Sequence, residues 1–257
     1  MGARSARQRV VARPAAAPPS GKRGGASTWL FDLDNTLHDA SHAVFGMIDA
    51  TMNDYIGREL GLPPDEADAL RRLYWRRYGA TLLGLERHHG IRAAHFLEHT
   101  HRWPELEQRL RIDPRDRAAL RALPGRKFVL TNAPARYAKR VLTALGLADL
   151  FEGVVSIEGM RLFGQLRPKP DARMFRVVLA RLKLRPTRCV LVEDTLTHQR
   201  AARGLGLRTV WMQRYLWRNV HGPEVGARLR RKPVYVCARI HSLQKLRSLP
   251  HVRSAPA

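Results

Sequence analysis

The chain has 257 residues, 44% of them apolar, and carries 46 Lys and Arg against 22 Asp and Glu, a formal net charge of +24. Such length and composition suit a globular protein of one large domain, or a core with an inserted domain. No apolar run approaches the roughly 18 residues of a membrane span, and two cysteines, Cys189 and Cys237, are too few for a disulfide framework. A reducing, cytoplasmic setting fits, and the basic field favours phosphate-bearing partners without choosing between small molecules and nucleic acid.

Residues 1–27 carry Arg4, Arg7, Arg9, Arg13, Lys22 and Arg23 and no acid. With Pro14, Pro18 and Pro19 and no apolar core, the segment reads as a disordered basic tail and not as a secretory signal. Residues 29–39, "WLFDLDNTLHD", follow. Trp29, Leu30 and Phe31 form an apolar run of strand length that stops at two carboxylates. Side chains two apart on a strand point the same way, so Asp32 and Asp34 share one small space. Like charges that close call for a cation, a proton, or both. A calcium loop is excluded, because its sixth position would be Leu37 and its twelfth Ala43.

From residue 41 to residue 122 no strand pattern occurs. "HAVFGMIDATMNDYIGREL" places Val44, Ile48, Met52 and Tyr55 at helical spacing. "GLPPDEADALRRLYWRRYG" opens with prolines and acids, as helices do, and carries Leu70, Leu73 and Tyr74. "ATLLGLERHHG" and "RAAHFLEHTHR" read as two shorter helices. The aromatics Tyr74, Trp75 and Tyr78 are assigned to packing. His88, His89, His95, His99 and His101 are assigned to surface or packing roles, because His95 and His99 have no third metal ligand in view.

Strand and helix then alternate. "KFVLTN", "LFEGVVSIEG", "RCVLVEDT", "RTVWMQ" and "PVYVCAR" read as strands; "PARYAKRVLTALG", "DARMFRVVLARLKL" and "HQRAARGLG" read as helices. This pattern implies a parallel sheet with helices on its faces, to which the strand at 28–33 also belongs. The expected organisation is an α/β core, residues 28–39 and 118–257, with a helical insertion at 40–117. Ligands of open parallel sheets sit at the carboxyl ends of the strands. There the apolar runs stop at Asp32 and Asp34, at Thr131 and Asn132, and at Glu193 and Asp194, and "RPKP" adds Lys169.

In this order "DLDNT", "TN", "KP" and "ED" resemble the four motifs of the haloacid dehalogenase-like (HAD) hydrolases. Residues 40–117 resemble the small all-helical cap of that family, set into its Rossmann-like core. "YWRRYGATLLGLERHHG", "SIEGMRLFGQLRPKPDARMF" and "VEDTLTHQRAARGLGLRTVWM" resemble the pyrimidine 5′-nucleotidase branch. The resemblance implies Asp32 as nucleophile and Asp34 as general acid/base. It implies Thr131, Asn132 and Lys169 as phosphate-binding residues. Asp32, the backbone carbonyl of Asp34, and Asp194 would hold Mg²⁺, with Glu193 assisting directly or through water. The implied activity is hydrolysis of nucleoside 5′-monophosphates, pyrimidine ones preferred, with no specific nucleic-acid partner and no membrane. Sugar phosphates or phosphoglycolate are the alternative substrates. A basic nucleic-acid-binding protein on a decayed hydrolase fold is the alternative of another class. One departure stands out: His198 occupies a position where many relatives carry Asn or Asp, and is expected either to accept a hydrogen bond from Lys169 or a metal-bound water or to face solvent as a bystander.

Overall fold

The computed structural model describes residues 27–218 and 223–249; the basic tail lies outside them save for Ser27. In chain order the elements are β1 (Thr28–Phe31), a π-helical turn at Ser41–Phe45, α1 (Gly46–Leu60), α2 (Pro64–Tyr78), α3 (Thr81–His89), α4 (Ala93–Thr100), α5 (Leu106–Arg109) and α6 (Pro114–Ala122). Then follow β2 (Lys127–Leu130), α7 (Ala135–Ala144), β3 (Gly153–Val155), β4 (Arg161–Leu162), β5 (Gln165–Leu166), α8 (Ala172–Arg181), β6 (Cys189–Glu193), α9 (Leu196–Arg203), β7 (Arg208–Met212), α10 (Arg214–Arg218), α11 (Pro223–Arg230) and β8 (Ala238–Ile240).

Six strands form one sheet in the order β3-β2-β1-β6-β7-β8, every pairing parallel. Their apolar residues alternate between two faces, as the strand period requires. Trp29, Phe31, Val129, Val190, Val192 and Val210 join one cluster with Tyr137, Val141 and Leu142 of α7. Leu30, Phe128, Leu130, Cys189 and Leu191 join the other with Met174, Phe175 and Val178 of α8. Helices on both faces explain why these strands are continuous apolar runs. The register pairs Phe31 with both Val129 and Val192. Asp32, Thr131 and the Glu193-Asp194 pair therefore leave the sheet at the same edge.

The helices between β1 and β2 have their own core of Tyr55, Ile56, Ala67, Tyr74, Leu82, Leu85, Phe96 and Leu97. Ile157, which follows β3, and Leu166 of β5 complete it. Gly84 allows α3 to lie against Tyr74, since a Cβ there would stand 2.1 Å from the ring. On α2 Tyr74 points inward, so its neighbour Trp75, about 100° further round the helix, is 62% exposed and Leu73 is exposed too. The assignment of Trp75 to the core is thus corrected.

Two further differences from the sequence reading have simple causes. "PVYVCAR" is a turn for most of its length, with only Ala238–Ile240 forming β8. Val236 N–H bonds to Pro233 O, and Val236 packs on Trp211 and Leu229 instead of continuing a ladder. The hairpin of β4 and β5 was not anticipated. Its two turn residues, Phe163 and Gly164, both have positive φ (49° and 78°), the geometry that a two-residue hairpin demands.

Candidate active site

The loop after β1 is closed by its own side chains. Leu33 and Leu37 are fully buried, and Asn35, at φ 57°, accepts from Ser41 N–H (3.0 Å) and donates to Ser41 Oγ (2.8 Å). This pinning leaves Asp32 buried at the sheet edge and Asp34 half-buried beside it.

Lys169 is the hub. Its fully buried side chain reaches Asp32 Oδ1 at 2.6 Å and Glu193 Oε2 at 2.7 Å. Asn132 holds the backbone of Lys169 on both sides: its Nδ2 donates to Lys169 O (3.0 Å) and its Oδ1 accepts from Lys169 N–H (2.9 Å). The peptide bond from Lys169 to Pro170 is cis. Thr131 is buried, and its Oγ1 accepts from Ala133 N–H at 3.0 Å. That bond leaves the hydroxyl proton to be donated.

Asp32, Glu193 and Asp194 bring one carboxylate oxygen each to within 4.8 Å of one another. Burial pushes the Asp32 carboxyl up to about 7; the Glu193 charge adds to this and the Lys169 charge opposes it. Asp194 is raised well above the ordinary carboxylate range by burial, then by the charges of Glu193 and Asp32. Burial would raise Glu193 as well, but Lys169 and then His198 outweigh it and hold Glu193 well below that range. Lys169 itself is raised, because the Asp32 and Glu193 charges outweigh its burial. One ammonium cannot neutralise two buried carboxylates and a half-buried third. The surplus negative charge and all-oxygen donors fit a hard divalent cation such as Mg²⁺.

Glu193 is already engaged at both oxygens. Its Oε1 accepts from Thr195 N–H (3.2 Å), and His198 Nδ1 stands 3.1 Å from the same Oε2 that takes Lys169. No hydrogen bond forms at His198 Nδ1, so the two groups meet as a close contact. From the first turn of α9, His198 thus stands beside Glu193, the carboxylate that Lys169 also engages. Asp194 accepts from Thr195 Oγ1 at 3.1 Å, and Trp211 Nε1 donates to its backbone carbonyl at 2.8 Å.

Three residues around Asp34 escaped the sequence reading. Tyr137 Oη donates to Asp34 Oδ1 at 2.7 Å, and His38 Nε2 meets the same oxygen at 2.9 Å. Tyr137 is 103 positions away, and no local pattern signals the contact; His38 could have been found from its four-residue spacing. Burial, then the Asp34 charge, raises the Tyr137 phenol well above 10, so it stays a donor. His101, on the turn after α4, stacks edge-on against Tyr137 with centroids 6.1 Å apart. Burial lowers its imidazole to about 4, and the Asp34 charge opposes that. The other histidines of the helical segment bond locally: His95 to Tyr55, His89 to Tyr74 and His88 to Tyr78. A cavity of about 810 Å³ lies beyond them, lined by Tyr78, Leu83, Arg87, Arg167, Pro168 and Pro170 among others. It flanks Lys169 along the chain, but no site carboxylate lines it.

A buried lysine, a buried hydroxyl and three clustered carboxylates at the carboxyl ends of a parallel sheet define a class of α/β hydrolase sites. Residues 27–206 match the family model of the haloacid dehalogenase-like hydrolases, and the chain belongs to that family. Phosphate metabolism protein 8 of Saccharomyces cerevisiae is 26% identical over 192 residues, covering 70% of this chain and 59% of that protein. The chain thus spans about three-fifths of that relative. Phosphoglycolate phosphatase of Rhodospirillum rubrum is 29% identical over 199 residues, covering 71% of this chain and 78% of that one. Among solved structures, a HAD phosphatase from Thermococcus onnurineus shares the fold with a TM-score of 0.58 at 21% identity, over 88% of this chain and 99% of that one.

Proposed function

We propose that the chain is a phosphomonoesterase of small phosphorylated metabolites that works through an aspartyl-phosphate on Asp32. The observation that carries this reading is Lys169 Nζ, held between Asp32 and Glu193 at 2.6 and 2.7 Å. An ammonium so placed neutralises a carboxylate that approaches a phosphate dianion. Asp32 attacks phosphorus, the bond to the leaving oxygen breaks, and Asp34 gives that oxygen its proton. Asp34 then takes a proton from the water that hydrolyses the aspartyl-phosphate. Thr131 donates its hydroxyl to a phosphoryl oxygen, and Lys169 contributes charge. Asn132, whose side chain is taken up by Lys169, has its main-chain N–H to offer.

Asp32, the Asp34 carbonyl and Asp194 would hold Mg²⁺, with Glu193 acting through water because Lys169, His198 and Thr195 already engage it. When bound, the ion would supply positive charge against the negative charge that develops in phosphoryl transfer. The helices at 40–117 act as the cap over this site. The nucleotide preference, for pyrimidine 5′-monophosphates, rests on the likeness of "RRYGATLLGL". The relative named phosphoglycolate phosphatase favours a second reading, a small phosphorylated acid or sugar. No described helix is long and apolar enough to cross a bilayer. We place the protein in the cytoplasm.

The test is release of phosphate from p-nitrophenyl phosphate. Wild type should release it in Mg²⁺ and stop in EDTA. Asp32→Asn, folded by circular dichroism, should retain less than about a thousandth of the rate, because an amide does not attack phosphorus. A variant with more than a few percent of the wild-type rate removes Asp32 from this role.

A further inference from the structure

Asp34 Oδ1 receives both Tyr137 Oη (2.7 Å) and His38 Nε2 (2.9 Å). The two donors come from different elements: His38 from the loop after β1, Tyr137 from α7. Both are buried, while Asp34 keeps partial exposure, its side chain 19% accessible. Tyr137 donates to Oδ1, and the His38 tautomer with its proton on Nε2 donates to the same oxygen. Nδ1 of His38 is buried without a partner among the described residues, which leaves the ring no competing donor to satisfy. Tyr137 is fixed in turn by Trp103, whose ring meets it edge-on at 90° with centroids 6.1 Å apart. Both contacts fall on Oδ1, and neither engages Oδ2.

We propose that Tyr137 and His38 are positioning residues that lock the carboxylate of Asp34 so that Oδ2 alone serves the leaving group. The inference rests on the reading of Asp34 as general acid. In the first step the Asp32 carboxylate forms a bond to phosphorus, the bond to the leaving oxygen breaks, and the proton passes from Asp34 Oδ2 to that oxygen. The alcohol departs, and Asp34 is left ionised with its charge on a carboxylate already accepting two hydrogen bonds. A loose Asp34 would present either oxygen and miss the line of the leaving group, and small misplacements are expensive in such transfers.

The pair should matter in proportion to how badly the leaving group needs a proton. An alkoxide needs one; p-nitrophenolate does not. The measurement is kcat/KM in Mg²⁺ for p-nitrophenyl phosphate and for an alkyl phosphomonoester that the enzyme accepts. That parameter counts only steps up to release of the alcohol, so the second half-reaction does not enter. Tyr137→Phe should lose about tenfold or more on the alkyl ester, a fraction of the range of general acid catalysis, and less than about threefold on the aryl ester. His38→Leu should do the same, and His38→Gln, whose amide can place a donor near the Nε2 position, should recover most of the loss. Equal losses on both esters, or none, in Tyr137→Phe and His38→Leu would overturn the inference. Asp34→Asn separates the two levels of the argument. If it too shows no leaving-group dependence, the general-acid reading itself falls; if it alone shows one, only the positioning role falls.

Discussion

Lys169 and Asp32, 137 positions apart in the chain, meet at 2.6 Å in a space closed to solvent. The contact exists because β1 is central in the sheet, and the loop that carries Lys169 is tied back to β2 through Asn132. A buried cation between two carboxylates is sustained only while all members are present.

Lys169→Met should therefore destabilise the metal-free protein by about 3 kcal/mol, the scale for breaking a buried pair from one side. It should also lower the rate of phosphate release at least about a hundredfold, as loss of a fixed transition-state donor does. Urea denaturation in EDTA and steady-state assays give the two numbers. A variant with wild-type stability would show that the carboxylates relax without the ammonium.

Removal of divalent metal should abolish turnover, and Mg²⁺ should raise the melting temperature of the wild type. An ion that binds only the folded state at about 100 times its Kd adds about 2.7 kcal/mol. Asp194→Ala should shift the Mg²⁺ titration to higher concentration in both assays. Unchanged melting with and without Mg²⁺ would count against the three-carboxylate cluster as the cation site.

The substrate question is settled by a panel. UMP and CMP should be hydrolysed with higher kcat/KM than AMP and GMP. Phosphoglycolate or a sugar phosphate leading the panel would overturn the nucleotide preference and leave the proposed phosphatase chemistry standing.

His101 should make stability depend on pH on the acid side. Its folded-state pKa, about 4, lies below the ordinary 6.5, so the unfolded chain binds the proton more readily. The contribution is fully present above 6.5 and is lost as the pH falls towards 4. Wild type should lose more melting temperature between pH 7 and pH 5 than His101→Gln does. Parallel curves for the two proteins would show that the imidazole is not held neutral.

Much of the fold was legible in the chain. The apolar runs at 29–31, 128–130 and 189–192 are continuous because both sheet faces are covered, and that pattern is local. Asp32, Thr131 and the Glu193-Asp194 pair were visible for a related reason: each marks the point where such a run stops, and parallel strands stop at one edge. The helical character of 46–100 was likewise written in its spacing. "PVYVCAR" misled because a short run of β-branched and aromatic residues does not say that a ladder partner is free; Val236 buries itself from a turn.

What tertiary structure alone decided is which atoms meet at that edge. The sequence placed Asn132 beside phosphate, but its side-chain amide is turned to the backbone of Lys169. It placed His198 near the metal carboxylate, but only the packing of α9 sets the ring beside Glu193 Oε2. It contained no sign that Tyr137 of α7 would donate to Asp34. Periodicity reports the face on which a side chain stands, a property of the nearest few residues. The partner across a gap depends on how whole helices pack on the sheet, where a shift of an ångström exchanges one hydrogen bond for another. For this chain the residue types of the site are local facts, and their geometry is a consequence of the packed core beneath them.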